Sequence, residues 1–86
     1  MWRLAKRHDG ECMVLVLSGK VDEHELQELE RGIARDGKDE RVELDLEGLK
    51  LVDQVVVNYL SRCESRGVAL RNCPPFIREW INRGQR

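Results

Sequence analysis

No apolar run in these 86 residues approaches the length of about 18 needed to cross a bilayer. The longest dense one, CMVLVL at 12–17, suits a buried strand instead. A signal-peptide pattern is missing too, because Arg3, Lys6, Arg7, His8 and Asp9 interrupt any apolar segment near the start. The expectation is a cytoplasmic protein without membrane insertion. Histidine is scarce: His8 and His24 are the only imidazoles. His24 and Glu28 stand four apart on a helical stretch, but two ligands are too few for a closed zinc site, so no metal is expected. Cys12, Cys63 and Cys73 form no CxxC and leave an odd count, which reads as reduced, packed thiols. Cys73 precedes a helix start, where a thiol pKa can fall, yet nothing basic or resolving accompanies it in sequence.

The motifs of catalysis are missing as well. Neither GxGxxG nor a Walker loop occurs, so there is no phosphate cradle and no cofactor is expected. Ser18 precedes Gly19 outside any GxSxG frame, and Ser61 and Ser65 have no histidine nearby in sequence. The expectation is no catalytic residue and no enzyme. With 15 basic and 16 acidic residues the formal charge is -1. A basic face that could neutralise phosphates is not indicated, and nucleic acid is not an expected partner.

What is present is pattern. A chain of 86 residues, 41% hydrophobic and 36% charged, makes one domain, 1–86, with a modest core. Residues 2–6 are a weak strand, and His8-Asp9-Gly10 signals a tight turn into the strand 12–17. That strand is apolar throughout, so it belongs in the middle of a sheet. Ser18-Gly19-Lys20 closes it. Asp22 then caps a helix, with Glu25 as the reciprocal acceptor and Val21 and Leu26 at staple spacing. Leu26, Leu29 and Ile33 line its inner side, Gly32 would permit close packing, and Asp36-Gly37 ends it with Gly37 in a left-handed cap.

Residues 41–47 alternate without a break: Val42, Leu44 and Leu46 face one way, and Arg41, Glu43, Asp45 and Glu47 the other. This predicts a strand with one buried face and one wet or partner-facing side, on which Glu43, Asp45 and Glu47 read as a solvated stripe. Residues 48–52 read as a loop, and Asp53 as the cap of a helix over 54–66. Val56, Leu60 and Cys63 make its inner stripe, extended by Tyr59, with Val55 and Val57 adding apolar surface at the first turn. Gly67 stops it. Residues 68–71 form a short strand. Pro74-Pro75 opens a last helix with Phe76, Ile77, Trp80 and Ile81 inward and Arg78, Glu79, Asn82 and Arg83 outward. Residues 84–86 read as a frayed end. The expected fold is α/β: a small mixed, mostly parallel four-stranded sheet with helices mainly on one face, in the order β-β-α-β-α-β-α. Four charged side chains on one strand face argue against helices on both sides.

Three blocks carry a resemblance: VLVLSGKVDEHELQEL (14–29), RVELDLEGLKLVD (41–53) and SRGVALRNCPPFIREWI (65–81). In content and order they resemble the STAS domain family, whose best-known members are bacterial anti-sigma factor antagonists. The central block is similar to the strand and loop that lead to the family's hallmark Asp-Ser-Ser-Gly. In the family that motif holds the serine phosphorylated by a partner kinase, itself the anti-sigma factor. Here the matching positions are Asp53, Gln54, Val55 and Val56. The aspartate is kept and both serines are replaced, so no phosphorylation site is expected there. The resemblance implies a non-catalytic protein-interaction module of bacterial signalling and transcription regulation, binding a regulatory protein such as an anti-sigma factor kinase through Asp53, Gln54, Val55 and Val56. The alternative is a small-ligand sensor or a structural subunit of a larger regulatory assembly. Family members usually continue past this last helix with another strand and helix. The strand at 68–71 is therefore expected at an open edge, with a homodimer as one way to cover it.

Overall fold

The structure, a computed structural model, describes residues 2–36 and 41–84, the side chains of residues 34–36 excepted. Its elements run β1 (Trp2–Asp9), β2 (Cys12–Val21), α1 (Glu23–Asp36), β3 (Arg41–Val52), α2 (Gln54–Ser65), β4 (Ala69–Arg71) and α3 (Pro75–Gly84). The strands form one sheet in the order β1-β2-β3-β4. β1 and β2 are antiparallel; β2 with β3, and β3 with β4, are parallel. The expected mixed, mostly parallel sheet and the β-β-α-β-α-β-α order are both there. Two parallel links that step the same way across a sheet, each through a right-handed crossover, place α1 and α2 on the same face.

The Asp-Gly signal marks the hairpin one residue early. Asp9 stays in β1, paired with Cys12, and the loop is Gly10-Glu11. Gly10 has φ +66, the positive value that a two-residue hairpin loop needs at its first central position.

β2 and β3 both outrun the sequence expectation. Residues 18–20 do not close β2, and residues 48–52 are not a loop. Ser18 pairs with Gly48, Gly19 with Leu49, Lys20 with Leu51 and Val21 with Val52. Each segment looks like a break when read alone, but each supplies the other's hydrogen-bond partners. The extension is irregular, with the register shifting between Val16 and Ser18 and again between Gly19 and Lys20. Two glycines permit it. A Cβ on Gly48 would lie 2.7 Å from the Ser18 Cβ, so only glycine lets the strands approach there. Gly19 takes φ +86 at the second shift.

The core lies between the sheet and the helices. β2 contributes Met13, Leu15 and Leu17, and β3 contributes Val42, Leu44 and Leu46. Leu26 and Leu29 from α1, Val56, Leu60 and Cys63 from α2, and Ile77 and Ile81 from α3 close over them. The period-2 and period-3.6 patterns of the sequence thus meet on one surface. Phe76 departs from its pattern: it is exposed, on the outward side of α3. Gly32 departs from its expected role, since a Cβ there would meet nothing within 4 Å. The start of α1 follows the capping-box prediction. The His24 amide donates to Asp22 Oδ1 at 2.9 Å, and the Asp22 amide donates to Glu25 Oε2 at 3.2 Å. Gly84, expected in a frayed end, is the last residue of α3; the cap assigned to Gly37, and the fraying assigned to Gln85 and Arg86, lie outside the described residues.

Candidate functional site

The first turn of α2 is built on Asp53. This residue leaves β3 in an extended conformation, φ -105 and ψ 177, and its carboxylate bends back over the helix end. Oδ1 accepts the Val56 amide at 3.0 Å, and the Asp53 carbonyl accepts the Val57 amide at 3.1 Å. Oδ2 accepts the Glu23 amide at 3.2 Å, across 30 residues of sequence. One carboxylate therefore holds the N-terminal ends of both α1 and α2, where the helix dipoles favour negative charge. The capping bond alone stabilises by about 1 kcal/mol. Capping was legible in the sequence; the bond to α1 was not, because it depends on Val21 and Val52 lying side by side at the ends of β2 and β3.

The next three residues diverge. Gln54 is exposed and held at both ends of its amide: Nε2 donates to Asn58 Oδ1 at 2.8 Å, and Oε1 accepts the Trp80 Nε1 hydrogen at 2.8 Å. The first bond has i,i+4 spacing and could have been read from the sequence. The second ties α2 to α3 and could not. Val55 is 42% exposed, whereas Val56 is fully buried and Val57 nearly so. Burial of Val56 and Val57 holds a turn whose β-branched residues disfavour helix. Of the four residues named from the hallmark, Gln54 and Val55 present side chains to solvent, Asp53 is half-buried and engaged, and Val56 belongs to the core. Leu51, two residues before the cap, is 53% exposed at the end of β3. A groove of about 430 Å³ opens between α2 and α3, lined by Gln54, Val55, Asn58, Trp80, Ile81 and Gly84 among others.

The remaining candidates are distributed elsewhere. Ser18 lies in β2 opposite Gly48. Ser65 donates to the Ser61 carbonyl at 3.1 Å within α2. Desolvation pushes the Cys73 thiol above its ordinary value. A basic group does face it, contrary to the sequence reading: Arg78 pulls the other way. That guanidinium is committed to Glu64, with bonds of 2.9 and 2.8 Å. Arg78 is accordingly half-buried rather than turned outward. Cys12 and Cys63 are likewise unpaired thiols raised chiefly by desolvation.

The acidic stripe of β3 is a correction. Glu47 is exposed, but Glu43 and Asp45 are only 8% and 6% exposed. Arg71 of β4 pairs with Glu43 and also reaches Asp9 of β1 at 3.4 Å. Asp45 takes Arg7 at 3.9 Å, the Asn72 side-chain amide at 3.4 Å and the Glu47 backbone amide at 3.1 Å. Long side chains from the edge strands cover these carboxylates. Among the described residues no group of three or more His, Cys, Asp or Glu side chains is placed to hold a metal ion, and no helix is long and apolar enough to cross a membrane.

Compared with known proteins, the chain matches a family model, described as Mlab, STAS domain, over residues 4–84. No curated protein matches it.

Proposed function

The chain belongs to the STAS domain family, and from that premise we propose that it is a non-catalytic protein-interaction module of bacterial signalling whose docking surface is the start of α2. In this reading it resembles an anti-sigma factor antagonist without the serine switch. The supporting observation is Val55: an apolar side chain, 42% exposed, at the position where the resemblance puts a phosphorylatable serine. Neither Val55 nor Gln54 carries a hydroxyl, so this turn keeps one charge state. Gln54 and Val55 make the contact, with Leu51 beside the cap, while Asp53 and Val56 hold the turn in place. The partner is a regulatory protein of the anti-sigma kinase type, acting on cytoplasmic transcription control.

Val55→Asp tests the reading. It replaces an exposed side chain, so the fold survives, and titration against the candidate regulatory kinase encoded nearest its gene should show at least a tenfold loss of affinity. Unchanged affinity in the variant, or no binding by the wild type to any such candidate, would sink the docking assignment. A small molecule carried into a native mass spectrum would favour the sensor reading instead, with the groove between α2 and α3 as its site.

A further inference from the structure

The edge of the sheet away from α3 carries a second surface, independent of the one at α2. β1 is eight residues long and pairs with β2 on one side only; among the described residues no strand lies beyond it. An edge strand of that length turns half of its backbone amides and carbonyls outward, as a template for one more strand. The opposite edge, β4, has three residues and offers no such length. β1 is also charged in one sense. Arg3, Lys6 and Arg7 are exposed along it, and its one acidic residue, Asp9, sits at the hairpin end facing Arg71.

We propose that the outer edge of β1 docks an acidic, extended segment of a partner protein by strand addition. Backbone hydrogen bonds supply the ladder, and side-chain charge supplies the choice of partner. Arg3 and Arg7 project from the helix-free face, in register with Ser18 and Val14. Carboxylates at alternate positions of an incoming strand meet that row. Arg7 touches Asp45 only at 3.9 Å and is 55% exposed, so it is able to turn toward a ligand. The positions between them lie beside Trp2 and Leu4, half-buried on the other face, and accept small apolar or hydroxyl side chains. A second copy of the chain is a poor occupant, because antiparallel self-pairing centred on Ala5 sets Arg3 of each copy against Arg7 of the other, and pairing centred on Lys6 sets that lysine against itself.

The test uses the isotope-labelled full chain with an eight-residue peptide alternating Glu and Thr, and a Lys-Thr peptide as its opposite. Outward amides within Trp2–Asp9 should exchange at least tenfold more slowly with the Glu-Thr peptide, with amides of β4 and α2 unchanged. Binding should weaken about tenfold between roughly 50 and 500 mM salt. An Arg3→Glu variant, which breaks the row on the helix-free face and leaves Arg7 on Asp45, should bind Glu-Thr at least tenfold more weakly with its fold intact by circular dichroism, and Val55→Asp should bind Glu-Thr as the wild type does. Unchanged exchange at millimolar peptide, an equal response to Lys-Thr, or loss of binding in Val55→Asp would each overturn the assignment to β1. Protection of β1 that rises with protein concentration in the absence of peptide would overturn it in favour of a second copy.

Discussion

The two faces of the sheet bury their residues by different means. On the helix face, Leu15 and Leu44 are neighbours in register and disappear beneath aliphatic side chains from α1, α2 and α3. On the other face, Val14 is fully buried and Glu43 and Asp45 nearly so, with no helix above them among the described residues. Their cover is the edge strands' own side chains: Arg7 beside Val14 in register, and Arg71 reaching from β4 to Glu43 and Asp9. The first face is buried by a second layer of structure, the second by side chains long enough to lie along the sheet. The lesson is that a charged strand face need not be a wet one, because arginine carries an apolar stem as well as a charge.

The largest effect should come from the helix face. Leu44→Ala leaves a cavity among residues that cannot all close in, and urea denaturation should show a loss of about 2–5 kcal/mol. A loss much below that range would mean that this face is as forgiving as the other. The helix-free face is probed by Arg71→Met, which leaves Glu43 covered but without its ion pair. The urea midpoint should fall, by less than for Leu44→Ala, and the double variant Glu43→Met, Arg71→Met should recover most of the fall. No recovery would show that charge, rather than cover, holds that face.

A smaller effect tests how the helix layer is tied together. Arg78 holds the Glu64 carboxyl below its ordinary value of 4.5, chiefly through their hydrogen bonds. A carboxyl depressed in the folded state adds stability above its unfolded value and loses it as pH falls through the folded value. Glu64→Gln should therefore cost no more than about 1 kcal/mol at pH 7, since both side chains are about a third exposed and screened. The difference from wild type should vanish below the ordinary carboxyl range, and a pH-independent difference would refute the pairing argument. Smallest, and opposite in sign, is Gly32→Ala. The new methyl meets open space within α1, so a gain of about 0.5–1 kcal/mol in thermal or urea unfolding is expected. A loss would mean that α1 packs too closely at Gly32 to admit a methyl group.

Much of the helix layer could be read directly. The Asp22 and Glu25 capping box, the Asp53 cap and the stripe of Val56, Leu60 and Cys63 are local patterns whose partners lie within one or two turns. The candidate site was half legible for the same reason. Asp53 as a cap and Val55 as added apolar surface were visible, but the Glu23 amide on Asp53 and the Trp80 indole on Gln54 join residues 30 and 26 apart.

By itself, then, the sequence determined the order of elements, the apolar stripe that each of β2, β3, α1 and α2 turns to the core, and the family to which the chain belongs. It could do so because hydrophobic period and cap chemistry act over a few residues. Only the tertiary structure decided that residues 18–21 and 48–52 continue as paired strands, that Glu43 and Asp45 are covered, and that Val56 turns inward while Val55 turns out. Strand extension depends on a partner's backbone groups arriving in register, and burial of a charge depends on an arginine reaching it from another strand. Neither distance is written in the spacing of residues along the chain.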